Sequence, residues 1–492
     1  MLFNSLPYLF FFPIVCLLYF TLPCRVRPLW LLIASFFFYM CWSVPCGLLM
    51  LTSILITYLS GIFLQRYHDA GNQKAMKICV ALCFVSNLAI LIFFKYFNFI
   101  AVNVNGALAS LGLGGRIRHL DILLPVGISF YTFQALGYTM DVYRQTVHAE
   151  KNIIHYMLFV SFFPQLVAGP IERTGNLLPQ LKVNRKFSVD AARKGLLWIA
   201  WGLFMKMVLA DNLARIVNPV YEQFENYTGI EIIVATFCFA FQIYCDFAAY
   251  STIAFGSAQI LGVRLMENFR SPYFGLGISD FWHRWHISLT TWFTDYLYIP
   301  LGGNRKGTFR KYVNMMIVFL VSGFWHGANW TFVLWGVMNG ALIVIGDATK
   351  GARDRAKLAL GVRPGASYRL FQRAFTFLLV NCTWVFFRAK DIQTAFSIFN
   401  RILTDLSFHK LFSVGILSLA PNPQMWLVVL CAMIALLFVD AKRNRGVMLD
   451  EWLMRQGAFL RWGVYMGLLF SIIIFGVYGK IFAQTQFIYF QF

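Results

Sequence analysis

Apolar residues run along the chain in long blocks, separated by short basic or turn-rich breaks. A helix needs about 20 apolar residues to cross the hydrocarbon core of a bilayer. On that template, spans are expected near 3–22, 28–43, 47–64, 77–99, 122–140, 153–169, 191–216, 229–262, 312–328, 331–347, 370–388, 423–440 and 463–479. The block 229–262 is too long for one upright span, at roughly 50 Å of helix, so it is either tilted, broken or a pair. With re-entrant segments allowed for, the pattern predicts an all-α integral membrane protein, a polytopic bundle of about eleven or twelve transmembrane helices. The stretch 277–299, GISDFWHRWHISLTTWFTDYLYI, interleaves charges with aromatics. Such a pattern suits short amphipathic helices at a membrane face or along a wet cavity. The PLGGNRKG that follows is turn chemistry.

With no linker or low-complexity tract, the chain reads as one domain over 1–492. N-terminal helices occupy 1–120, a core 121–347 and C-terminal helices 348–492. The opening MLFNSLPYLFFFPIVCLLYF has no basic leader and no small-residue cleavage site, so it reads as a first membrane helix and not a signal peptide.

Composition narrows the class. Of 492 residues, 59% are hydrophobic and 13% charged, with a mean hydropathy of +0.64. A soluble domain carries about 25% charged residues. A disordered chain, a secreted disulfide scaffold and an ordinary cytosolic enzyme are all excluded. The formal charge of +21 raises nucleic acid as a partner, but no basic soluble domain exists to hold it. The bases gather in loops instead: Arg66, Lys74 and Lys77; Arg185, Lys186, Arg193 and Lys194; Arg305, Lys306, Arg310 and Lys311; Lys350, Arg353, Arg355 and Lys357; Lys442, Arg443 and Arg445. The positive-inside rule puts these five clusters in the cytoplasm and the end, KIFAQTQFIYFQF, outside. The 10 cysteines lie mostly in apolar runs without a CxxC pair, as small buried hydrophobes do.

Ionisable residues inside a membrane are costly and mark candidate function. His326 lies in Ser322-Gly-Phe-Trp-His-Gly-Ala-Asn-Trp330, between two apolar runs. The leg from Tyr312 to Trp325 makes about 21 Å of helix, shorter than the core of roughly 30 Å. His326 is therefore expected part-way through the membrane, where desolvation keeps an imidazole neutral and fit to act as a base. A second cluster is Asp280, His283 and His286, which on one helix would share a face. It reads as an Asp280–Arg284 pair with amphipathic histidines, as a metal site in which two imidazoles and a carboxylate hold zinc, or as His286 joining His326 in one active site. The third place is Asp246, an acid inside a long apolar run, which either pairs with a buried Arg, binds a histidine or belongs to a purely structural ion pair. Asn329 is an oxyanion donor or a helix cap. Tryptophans 282, 285, 325 and 330 line an acyl path or simply pack. GxSxG, HExxH and GxGxxG are absent, which weakens serine-hydrolase, zincin and Rossmann readings.

Several stretches together resemble the membrane-bound O-acyltransferase family, and within it the bacterial alginate O-acetyltransferase branch. They are LPVGISFYTFQALGYTMDVYR (124–144), FFPQLVAGPIER (162–173), ENFRSPY (267–273), SDFWHRWHISLTTWFTDYLYIPLGGNRKG (279–307), FWHGANWTFVLWG (324–336) and FIYFQF (487–492). The resemblance implies a membrane O-acyltransferase with a central tunnel, in which His326 matches the family's near-invariant histidine and His286 its second one. It also implies a cytoplasmic acyl thioester as donor, acetyl-CoA above all, with no bound cofactor or metal. An extracytoplasmic polysaccharide would be the acceptor, with an exported acetyltransferase or acyl-accepting protein as partner. The expected location is the bacterial inner membrane, with lipid around the bundle. Where the family often has an FSGYSD-like stretch, this chain reads FAAYST, with Thr252 in place of an acid. The related D-alanyl transferases of teichoic acid generally lack the YIPLGGNRKG and FIYFQF stretches, so acetyl is the expected group and D-alanyl the alternative. Two other classes stay open on the residues: a polytopic transporter without catalysis, and a metal hydrolase built on Asp280, His283 and His286.

Overall fold

The structure, a computed structural model, describes residues 1–363, 365–407 and 414–478. The FIYFQF stretch and the end expected outside the membrane lie beyond the described residues. Every regular element among those residues is helical.

The chain opens with two apolar helices of 16 and 14 residues, α1 (Leu6–Thr21) and α2 (Arg27–Met40). The long helices α3 (Val44–Asp69) and α4 (Gln73–Ser110) follow. Next come α5 (Ile128–Tyr143), α6 (Ile153–Ser161) and α7 (Thr174–Leu181), and then α8 (Val189–Glu222) and α9 (Gly229–Ile260). Two short helices, α10 (Ile278–Trp282) and α11 (Ile287–Phe293), lead to α12 (Thr308–His326) and α13 (Trp330–Ala348). The basic α14 (Lys350–Ala359) precedes α15 (Ala366–Arg388) and α16 (Ile392–Thr404). Helices α17 (Pro423–Asn444) and α18 (Ala458–Phe475) close the described chain.

Eight of these are long and apolar enough to cross a membrane: α3, α4, α8, α9, α13, α15, α17 and α18. The protein is thus a multi-pass all-α membrane protein, with fewer full-length spans among the described residues than the apolar blocks suggested. The block 122–140 is not helical before Ile128. The block 153–169 breaks after nine residues, where Phe162 leaves helical geometry ahead of Pro164. The block 312–328 forms α12, whose first turn carries Arg310 and Lys311. The block 229–262 is one continuous helix, α9, of 32 residues. It extends over about 48 Å. Most of its apolar window is buried inside the protein, so its length follows the protein interior. On α17, by contrast, Leu427, Ile434 and Phe438 are exposed while Val429 and Leu436 are buried, the two-faced pattern of a helix with lipid on one side.

The described chain falls into two compact units. One comprises Met1–Ile199 with Ile253–Met266. In it α3 packs on α4 and α5, and α2 on α6. Several of its buried polar groups are paired, as the low dielectric favours. Tyr156 Oη donates to Thr57 Oγ1 at 2.6 Å, and Glu172 accepts from the Met266 N–H and from Asn176.

The other unit comprises Ala200–Thr252 and the chain from Glu267 onward. It contains every residue singled out above for chemistry. Its centre is the hairpin of α12 and α13, against which α10 and α15 pack. The two helices of the hairpin cross at Gly323 and Gly336. A Cβ on Gly336 would lie 2.3 Å from the Phe319 carbonyl oxygen and 3.1 Å from the Gly323 Cα. Small residues at such crossings let two backbones meet. Gly336→Ala is therefore expected to lower stability by about 1–3 kcal/mol. Gly346→Ala on the same helix, where a Cβ meets nothing within 4 Å, is expected to be neutral or to stabilise by up to about 1 kcal/mol. Denaturation of both variants in detergent checks the contrast.

Candidate active site

His326 is the last residue of α12. Gly327 is extended, and Asn329 caps α13 by accepting the Thr331 N–H at 3.0 Å. The sequence turns here because Gly327 leaves room for a ring: a Cβ on it would lie 2.2 Å from Phe332. The imidazole is 3% exposed. Its ring centroid lies 5.0 Å from those of Trp325 and Trp335 and 5.5 Å from that of Phe387.

His286 arrives from the other side of the motif region. Helix α10 ends at Trp282, and the chain turns until His286 takes a left-handed conformation, φ +45°, before α11. A non-glycine residue there is uncommon and is held by its surroundings. The holder is Asn268. Its Oδ1 lies 3.1 Å from His286 Nδ1 and accepts from Ser288 Oγ at 2.9 Å and from the Ser288 N–H at 3.4 Å. Its carbonyl oxygen accepts the Ile287 N–H, and its Nδ2 donates to Ser251 Oγ. The His286 ring packs edge-on to Phe247 at 4.7 Å and lies 6.0 Å from Trp325. His286 stands outside the spanning helices, yet it is 1% exposed. Burial pushes its imidazole down to about 3, so it is neutral at physiological pH.

One indole, Trp325, thus touches both histidines, which are 40 positions apart in the sequence. The aromatic cluster continues through Trp335 to Trp384 at 5.9 Å, and from Trp384 to Trp285 at 5.1 Å. Trp282 joins at Trp335, 5.5 Å away. Trp282, Trp285 and Trp325 are therefore interior to the cluster, while Trp330 is 53% exposed.

Asp280 and His283 stay apart from this centre. The turn after Trp282 breaks the three-residue register that one helix would have kept. Asp280 pairs with Arg284 at 2.7 Å, and the exposed His283 has Nδ1 2.6 Å from the Ser279 carbonyl oxygen. Among the described residues no three His, Cys, Asp or Glu side chains are grouped to hold a metal ion. Asn329 takes the helix-cap role, and its Nδ2 donates to the Lys390 carbonyl at 2.9 Å.

Asp246 pairs with a lysine and not with the arginine or histidine expected: Lys206 Nζ lies 2.6 Å from Asp246 Oδ1 and 2.7 Å from Asp211 Oδ1. Lys206 lies in a π-helical turn, Phe204–Ala210, inside α8. Such turns are frequent at functional sites. Sequence reasoning passed over Lys206, although a lysine in the apolar run GLFMKMVLA is as conspicuous as Asp246. It also passed over Asn268, whose signal was a polar side chain in ENFRSPY.

The fold and the site define a polytopic membrane protein with two buried histidines gathered about one tryptophan. Comparison with known sequences gives the family. The profile of MBOAT, the membrane-bound O-acyltransferase family, matches residues 110–388, which include both histidines. The chain is 39% identical over 397 residues to the probable alginate O-acetylase AlgI of Pseudomonas putida, covering 80% of this chain and 79% of that one. It is 33% identical over 430 residues to the peptidoglycan O-acetyltransferase of Helicobacter pylori, covering 81% and 79%. Similarity to the teichoic acid D-alanyltransferase of Streptococcus thermophilus is lower, 27% over 310 residues, covering 59% and 71%. The chain belongs to the membrane-bound O-acyltransferase family. It is a multi-pass membrane enzyme that uses an acyl donor, and the transporter and metal-hydrolase readings fall away.

Proposed function

We propose that the protein moves an acetyl group from a cytoplasmic thioester, acetyl-CoA, toward a hydroxyl of an extracytoplasmic polysaccharide, and that His326 and His286 carry the transfer. The observation that supports this reading most directly is that both imidazoles are buried in one aromatic cluster and touch the same indole. The relatives named for O-acetylation, with identities of 33–39%, support acetyl over D-alanyl.

Thioester acyl transfer needs a base for the attacking hydroxyl and stabilisation of the developing oxyanion. His326 takes the proton as the hydroxyl oxygen bonds to the thioester carbonyl carbon. The tetrahedral intermediate then collapses, the C–S bond breaks, and the departing sulfur receives the proton from the imidazolium. The products are an ester and a free thiol. Tryptophans 325 and 335 and Phe387 keep water from the acyl group, which is required because hydrolysis competes. An exported acetyltransferase or an acyl-accepting protein is the proposed partner that completes delivery to the polymer.

The test is mass spectrometry of envelope polysaccharides from the native host. Wild type, gene deletion, and deletion complemented with His326→Ala are compared. Ester-linked acetyl is expected to vanish in the deletion and to stay absent with His326→Ala at normal protein level. Loss of D-alanyl esters instead would overturn the choice of acyl group. Full restoration by His326→Ala would overturn the catalytic assignment.

A further inference from the structure

We infer that Asn268 is a positioning residue that fixes the tautomer of His286, so that Nε2 presents a lone pair and the imidazole acts toward substrate as a hydrogen-bond acceptor and not as an oxyanion donor. This deepens the proposed function and rests on His286 taking part in the transfer.

The hydrogen-bond pattern supplies the reason. The backbone N–H of Ser288 can only donate, and it points at one terminal atom of the Asn268 amide, so that atom is the oxygen. The same oxygen faces His286 Nδ1 at 3.1 Å. Two acceptors cannot share a hydrogen bond, so Nδ1 carries the proton and donates. The amide nitrogen is turned to Ser251 Oγ at 3.1 Å, which leaves Asn268 no way to present a donor to the ring without breaking that contact. A neutral imidazole has one N–H. With it committed to Asn268, Nε2 is the acceptor. The backbone reinforces the geometry. The Ile287 N–H bonds the Asn268 carbonyl at 2.9 Å, so the left-handed turn at His286 is tied to Asn268 at two places.

Charged groups on the surrounding elements have partners of their own. On α9, Asp246 pairs with Lys206. Beside Asn268, Glu267 pairs with Arg270 and Arg443. On α12, Lys311 at the far end pairs with Asp347, and His326 follows Trp325. An acid introduced at position 268 would therefore act on the His286 ring directly.

Three variants of the full chain in nanodiscs, His286→Ala, Asn268→Leu and Asn268→Asp, test the inference. Thiol release from acetyl-CoA, with the native host's envelope extract supplying partner protein and polysaccharide acceptor, is the readout. Asn268→Leu is expected to lower kcat by about 10–100-fold, the usual cost of losing a partner that orients a functional histidine, with KM for the thioester held within about threefold. Asn268→Asp keeps the acceptor for Nδ1–H and is expected to recover most of kcat at high pH. Its carboxylate favours the imidazolium, so the acid limb of its pH–rate profile is expected to move upward by more than one unit. A merely structural asparagine would not produce that displacement. If Asn268→Leu does not fold, the Asn268→Asp profile alone decides. Asn268→Asp with the wild-type profile, or Asn268→Leu with the wild-type kcat, while His286→Ala is inactive, overturns the inference and leaves the proposed function standing. A fully active His286→Ala overturns the part of the proposed function on which the inference rests.

Discussion

Replacing His326 by alanine is expected to slow acyl transfer by about 10²–10⁴-fold, the range associated with loss of a general base. The expectation is strong because of where the residue sits. It ends α12, its ring is enclosed by Trp325, Trp335 and Phe387, and it is 3% exposed. A side chain brought in later from solvent cannot substitute for a base in such a place. Truncation also empties the space between those rings, at a cost of a few kcal/mol. For that reason His326→Gln, which fills more of the space and cannot act as a base, is the companion variant. Both are assayed by thiol release in nanodiscs, with thermal unfolding as the control. Two folded variants that both lose activity identify a chemical role. If His326→Gln retains a tenth or more of the wild-type rate, the base lies elsewhere.

His326 stood out in the sequence because a polar group between apolar runs has few bland explanations, and His286 because its stretch interleaves charges with aromatics. What joins them was not. Trp325 is adjacent to His326 in the chain, but its contact with His286 depends on how the α12–α13 hairpin meets the turn after α10. That turn defeats a periodicity argument. Three-residue spacing places Asp280, His283 and His286 on one face only if a single helix carries them, and the helix ends at Trp282. The left-handed φ at His286 has no marker in its own side chain, since glycine or asparagine is the usual occupant. Its cause is Asn268, 18 positions upstream. Where single apolar blocks divide is hidden for a related reason. Hydropathy does not see a break such as the one after Ser161, where the apolar run continues while the helix stops. Capping at Asn329 and the Asp280–Arg284 pair were legible because both are local, decided within four residues.

The second large effect is expected at Lys206. Its ammonium lies 2.6 Å from Asp246 and 2.7 Å from Asp211, and all three side chains are at most 5% exposed. Lys206→Met keeps the volume of the aliphatic stem and removes the cation. Two buried carboxylates then face each other without the ammonium they shared. Breaking a buried ion pair on one side costs about 3–5 kcal/mol, so this variant is expected to unfold far earlier than wild type in a detergent denaturation series. The strain falls on a sensitive place. Lys206 lies in the π-helical turn whose Met207 carbonyl accepts the Val477 N–H, and the Asn212 Nδ2 just beyond it donates to the Phe475 carbonyl. The end of α18 is thus fastened to the same turn. Removing all the charges together is a different matter, since neutral groups of similar shape in place of a buried ion pair often leave stability unchanged or raised. The combination Lys206→Met with Asp211→Asn and Asp246→Asn is therefore expected to recover most of the lost stability. An unfolding free energy for Lys206→Met within about 1 kcal/mol of wild type would refute the burial argument. The triple variant also separates the two roles open to Asp246. If it is stable and transfers acyl groups, Asp246 serves the fold alone. If it is stable and inactive, this charged triad belongs to the chemistry around His286, which packs on Phe247, the residue after Asp246 along α9.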